Sequence, residues 1–182
     1  MSKNSLYNQI KFEGIPPDIE IYFVTNEIIK NRLEHVDSFI EKYPSKFNNK
    51  KSFLRTRILI EHLDLRKNKN LSISHTQNIS VISVSNKYKV GIDVERSSKK
   101  LTEKMSKKIL QKNNNLNLSP IQIWTLMEST YKCLNCMGEH FLKYSFIKKH
   151  KKFSLLRSDM NIIAVTYNFH EYTLGIAFNL EH

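Results

Sequence analysis

Two carboxylates stand two positions apart in Asp93-Val94-Glu95, at the end of an apolar run that begins at Val90. In a strand, residues i and i+2 project from one face, so Asp93 and Glu95 point together while Ile92 and Val94 turn into a core. Neighbouring carboxylates repel unless one takes a proton or a cation sits between them. A third acid follows in a stretch that reads as a helix, where Trp124, Glu128 and Lys132 recur at i, i+4 and i+8. Three oxygen donors suit a hard cation such as Mg²⁺, which keeps part of its water and binds substrate phosphates. Taken alone, Glu128–Lys132 is an ordinary i,i+4 ion pair. Ser74 and His75, in "LSISHTQN", precede the acids, and a lone histidine is more often structural than functional.

The elements that must position these residues follow from periodicity. "IEIYFVT" (19–25) reads as a strand, and the apolar positions from Asn26 to Lys42 follow a helical period. A second amphipathic helix covers 50–65, with Phe53, Leu54, Ile58 and Leu59 toward the core. Strands 79–85 and 88–95 flank Asn86-Lys87 in a hairpin pattern. A short helix is expected over about 102–111 inside a Lys/Asn-rich stretch. Ser119 as N-cap, Pro120 at N1 and Gln122 as the partner of a capping box start the helix that carries Glu128, with Gly138 as its C-terminal signal. Strands return through "NIIAVTYN" and "EYTLGIAFNLE".

Those last strands echo "NISVISVSNKYKVGIDVE", with Gly91 and Gly175 in equivalent places. A strand glycine marks a bulge or a close backbone approach. The expected fold is α+β, with two similar halves (1–96 and 97–182) forming one compact unit about a pseudo-twofold, each an antiparallel sheet packed on helices. The second copy carries Ala177 and Asn179 where the first has Asp93 and Glu95. The acids are therefore not a requirement of the strand pattern.

The chain has 29 Lys+Arg against 17 Asp+Glu, a formal charge of +12. Such a balance implies an acidic partner, or a surface drifted toward lysine. Cys133-x-x-Cys136 lacks the second ligand pair a zinc site needs and lies inside a predicted helix, so both read as ordinary helix residues. Neither a signal peptide nor an apolar run of membrane-spanning length is present, which implies a soluble, cytoplasmic protein.

"SISHT", "VGIDVE" and "WTLMESTYK", in that order, resemble the 4′-phosphopantetheinyl transferase superfamily, in particular its long, surfactin-activating type. The family pattern of S-H, then G-I-D-x-E, then W-S/T-x-K-E-A/S-x-x-K falls here on Ser74-His75, Gly91-Ile92-Asp93-x-Glu95 and Trp124-Thr125-x-Met127-Glu128-Ser129-x-x-Lys132. The match covers about the central third of the chain. The resemblance implies an enzyme, expected to be a monomer, that moves the phosphopantetheine arm of coenzyme A onto a serine of an acidic apo carrier protein, without nucleic acid. It further implies that Asp93, Glu95 and Glu128 hold Mg²⁺ and that Glu128 helps deprotonate the serine. By the same resemblance Lys132 neutralises the leaving nucleotide, while Arg57, Ser74 and His75 contact coenzyme A.

Three departures stand against the pattern. Met127 replaces the family's lysine, the 94–123 linker is short, and the G-K-P segment before the S-H motif is missing. If Met127 merely removes a cation from the site, Met127→Lys should raise the rate. The alternative reading is a degenerate member, or a basic module binding nucleic acid or acidic protein without catalysis. Its basic runs "SSKK", "KMSKK" and "IKKHKK" mostly lack the interleaved aromatics that such binding uses.

Overall fold

Alternation along the strands decides the layers. The computed structural model describes residues 7–30, 51–65, 70–135, 142, 144–149, 152–155 and 161–180. Its first sheet is formed by β1 (Asn8–Ile10), β2 (Glu20–Thr25), β3 (Asn70–His75) and β4 (Ile79–Ser85), in the order β1-β2-β4-β3. Tyr22, Val24, Ile82 and Val84 turn one way, onto Leu59 and Ile60 of helix α2 (Lys51–His62). Ile21, Ile79 and Val81 turn the other way, onto the second sheet. A short helix, α1 (Asn26–Lys30), continues from β2; the rest of the helix expected to Lys42 lies outside the described residues.

The second sheet is β5 (Val90–Arg96), β6 (Phe146–Lys149), β7 (Lys152–Leu155), β8 (Ile162–Phe169) and β9 (Tyr172–Asn179), in the order β5-β9-β8-β7-β6. Every pairing in both sheets is antiparallel. Ile92, Val94, Val165, Leu174 and Ile176 fill the space between the sheets. The far face is covered by helices α3 (Glu103–Asn113) and α4 (Pro120–Leu134) through Ile109, Ile123, Leu126 and Met127, with Leu116 added from the 3-10 turn Asn114–Leu116 between them. The fold is thus α+β, two antiparallel sheets packed face to face with helices outside each.

One expectation fails here. Strands 79–85 and 88–95 do not form a hairpin, because β4 and β5 belong to different sheets. Both edges of β4 are already taken, by β2 and β3, and all seven of its residues are buried. The turn between them instead carries the chain from one sheet to the other, with Ser85 Oγ accepting the N–H groups of Lys87 and Tyr88 at 3.1 and 3.0 Å. The later copy does form a hairpin, β8 to β9, closed through His170 in the left-handed region (φ 52°).

The crossover leaves β5 at a sheet edge, paired among the described residues with β9 alone. Its outward N–H groups find side chains rather than a strand: Ile92 donates to Ser72 Oγ at 3.0 Å and Val94 to Ser74 Oγ at 3.2 Å. Two buried serines on β3 therefore close the seam between the sheets and satisfy an edge that would otherwise be orphaned.

On the other face of β5, helix α4 comes close enough to need glycine. A Cβ at Gly91 would lie 1.9 Å from the Ser129 carbonyl oxygen, and one at Gly175 would lie 2.2 Å from that of Thr125. Both strand glycines mark close approach to one helix, one turn apart. The helix starts where its caps dictate: Ser119 Oγ accepts the Gln122 N–H and the Gln122 side chain accepts the Ser119 N–H. It ends at Asn135 in the left-handed region (φ 50°), ahead of the expected Gly138, which lies outside the described residues.

Candidate active site at the β5 edge

Asp93 and Glu95 share the face of β5 that turns toward α4, as the period of two requires. Asp93 is buried at 3 % exposure. Its Oδ1 accepts from Ser74 Oγ at 2.9 Å and from Lys132 Nζ at 2.8 Å. Lys132 also donates to the Ile92 carbonyl at 3.0 Å, so one ammonium binds both the side chain and the outward backbone of β5. Among the described residues, Asp93 Oδ2 is buried without a partner. An anionic oxygen in that condition costs more than a neutral one, and a cation or a proton donor would relieve it.

Glu128 lies one helical turn before Lys132 and faces the same strand. Burial first, then the nearby Asp93 charge, push its carboxyl up to about 7; Glu95 adds to the rise, while Lys132 and Lys99 oppose it. The three acids foreseen as metal ligands therefore feel one another's fields. They do not yet converge: among the described residues no three carboxylate, imidazole or thiol side chains lie within joint reach of one ion. Glu95 is instead paired with Lys99, whose ammonium also stands 5.6 Å from the centre of the Trp124 ring. The donor chemistry suits a hard divalent ion, since it offers carboxylate oxygens, one of them buried and unpartnered, and no soft ligand.

The remaining foreseen residues divide. Ser74 is only 6 % exposed and its hydroxyl is engaged by Asp93 and Val94, so it holds the acid in place. His75 lies at the exposed end of β3; partial desolvation, then Arg55 and Lys132, hold its imidazole below the usual histidine value. Arg57 stacks its guanidinium over Phe53 at 5.1 Å on α2. The arginine beside His75 is Arg55, which sequence reasoning missed. Arg55 is fully buried and donates to Ser80 Oγ at 3.2 Å, to the Thr76 carbonyl at 2.6 Å and to Asn26 Oδ1. Burial pulls its guanidinium down to about 10, which leaves it charged at neutral pH. The signal was present: Arg55 falls at i−3 and i−4 from Ile58 and Leu59, on the buried stripe, whereas Arg57 does not.

Met127 is no substitute for a site cation. It is 0 % exposed, packed with Ile109, Leu116 and Ala177 between α4, α3 and the second sheet. The rate gain foreseen for Met127→Lys assumed a side chain able to reach the phosphate site, and this position faces an apolar core. Met127→Lys is expected to destabilise the protein by about 3–5 kcal/mol, the scale of an uncompensated buried charge. Urea denaturation checks this, and a variant as stable as the parent would show that the lysine escapes the core. Cys133 is likewise a core residue: burial pushes its thiol up to about 12 and Sγ contacts the Lys89 carbonyl at 3.4 Å, while Cys136 lies outside the described residues.

Two concavities flank this region. A groove of about 320 Å³ runs between Leu71–Ile73 of β3 and Tyr131, Lys132 and the C-cap Asn135 at the end of α4. A cleft of about 770 Å³ opens between the ends of the two sheets, with Thr25, Asn26 and Asn78 on one wall and Phe169, Glu171 and Tyr172 on the other. Comparison with protein-family models and with curated proteins finds no match to this chain.

Proposed function

We propose that this protein is a Mg²⁺-dependent transferase that moves the 4′-phosphopantetheine arm of coenzyme A onto a serine of an acidic apo carrier protein. The observation that carries the reading is the grouping of buried Asp93, with its unpartnered Oδ2, Glu128 poised near neutrality and Lys132, all placed by the packing of α4 on β5. The order of the three sequence motifs supplies the substrate.

Asp93, Glu95 and Glu128 would hold the ion, which when bound supplies positive charge to the pyrophosphate. The carrier serine Oγ attacks the phosphorus that bears the pantetheine, forming a new P–O bond. The bond from that phosphorus to the bridging oxygen breaks, and 3′,5′-ADP leaves with the electron pair. The serine proton passes to Glu128, directly or through water, as the new P–O bond forms. Lys132 needs only to pivot from Asp93 to meet the charge that develops on the leaving group. Arg55, buried and charged, acts on His75 through its field and not by touching a phosphate. The exposed Lys104, Lys107, Lys108 and Lys112 on α3, in the linker between the acids and α4, offer a basic face to an acidic carrier.

We propose also that the two halves share a pseudo-twofold. Supporting this, Ile92 pairs with Ile176 in the β5–β9 ladder, and Gly91 and Gly175 sit on either side of that pair under one helix.

Two measurements test the function. Incubation with coenzyme A, Mg²⁺ and an apo carrier should add one phosphopantetheine to the carrier's intact mass; tight carrier binding with no mass gain would favour a non-catalytic module. Coenzyme A with Mg²⁺ should also raise the melting temperature by several degrees more than coenzyme A with EDTA, because ion and pyrophosphate bind together. Equal shifts would remove the acids from ligand binding.

A further inference from the structure

We propose that Lys99 is an internal competitor for the divalent ion: it holds Glu95 away from Asp93 and Glu128, and must release it before the three acids can share a metal. This inference rests on the metal-seat reading above.

The backbone at Lys99 is fixed by the chain. Directly after β5, Ser97 N–H bonds the Glu171 carbonyl at 2.8 Å and its Oγ lies 3.0 Å from Thr173 Oγ1. Lys99 N–H then closes a turn onto the Arg96 carbonyl at 2.9 Å. That turn brings residue 99 back over residue 95. The Glu95 side chain is 19 % exposed and that of Lys99 41 %, so the pair is half withdrawn from water, with the Trp124 ring beside the ammonium. Lys132 on Asp93 and Lys99 on Glu95 give each of the two strand acids its own cation. The repulsion between neighbouring carboxylates is thereby relieved without metal, which is why the donors do not converge on one point. A dication that draws Glu95 toward Asp93 and Glu128 competes with the Lys99 ammonium for that carboxylate, because the two cations repel across it.

The protein has a single tryptophan, so emission excited selectively at the indole reports the surroundings of Trp124, beside which Lys99 stands. The experiment is a titration of the full chain with Mg²⁺ alone, followed by calorimetry and by tryptophan emission, for the parent, Lys99→Met and Lys99→Arg. The parent should show an emission change that saturates at the calorimetric midpoint. Lys99→Met, which keeps the stem over the ring but loses the charge, should bind Mg²⁺ about fivefold more tightly, the scale of one removed charge and one half-exposed ion pair. It should also lose most of the emission change, while Lys99→Arg stays near the parent. Metal binding by the parent with unchanged or weaker affinity in Lys99→Met would overturn the role of Lys99 and leave the metal seat standing. Absence of Mg²⁺ binding in all three proteins, with or without coenzyme A, would remove the seat itself and this inference with it.

Discussion

Gly91→Ala is expected to push helix α4 outward from the second sheet and to lower stability by about 3 kcal/mol or more. The new methyl would stand 1.9 Å from the Ser129 carbonyl oxygen and 2.5 Å from the Cys133 nitrogen, both backbone atoms inside a helix. No rotamer change can relieve such a contact, so the helix must move outward. Overpacking a core with one extra carbon typically costs about 1–3 kcal/mol, and a backbone clash lies at or beyond the top of that range. A domain of this size holds only about 5–15 kcal/mol in all. Gly175→Ala should behave alike, with its methyl 2.2 Å from the Thr125 carbonyl oxygen. Gly14→Ala serves as the contrast: it sits at φ 84° and should cost no more than local strain. Denaturation midpoints of the three variants check this, and a Gly91→Ala protein within about 1 kcal/mol of the parent would show that α4 is less tightly seated.

Glu128→Gln is expected to lower carrier modification by about a hundredfold to ten-thousandfold, the range for a lost general base. It should also change the pH dependence of stability in the metal-free protein, and the sign follows from the carboxyl's position. The group rises from its ordinary 4.5 to about 7 on folding, so between these values the folded state binds a proton that the unfolded chain does not. The stability from this site is complete below about pH 4.5 and is lost as pH rises through about 7. In EDTA, the parent's urea midpoint should therefore fall between pH 5 and pH 8 relative to that of Glu128→Gln, whose amide carries no such proton. Excess Mg²⁺ should flatten the difference, because the ion takes the place of the proton. Parallel midpoints across that range would mean that Glu128 titrates as an exposed carboxylate in the metal-free protein.

How much of this was legible beforehand depends on the range of the interaction. The helix that carries Glu128 and Lys132 could be read to within a residue, because Ser119, Pro120 and Gln122 act on the backbone immediately beside them. The strand bearing Asp93 and Glu95 was equally plain from its alternation. The partner of that strand was not. Asn86-Lys87 between two apolar runs looks like a hairpin, yet β4 was already saturated by β2 and β3, whose positions are set far away in the chain. The same limit hid the role of the serines in "SISH": alternation shows only that Ser72 and Ser74 share a face, and nothing local shows that this face meets the open edge of β5.

The sequence by itself determined the residue types of the site, the faces on which they stand and the two glycines that let a helix approach. Those properties follow from local geometry, a period of two in strands and of 3.6 in helices, and from the absence of a side chain. Only the tertiary structure decided that Lys132 rests on Asp93 and Lys99 on Glu95, that Arg55 rather than Arg57 stands beside His75, and that Met127 faces a core. Each of these depends on which of two faces is buried and on which distant strand or helix buries it. That choice is made by the packing of whole layers, and no window of neighbouring residues contains it.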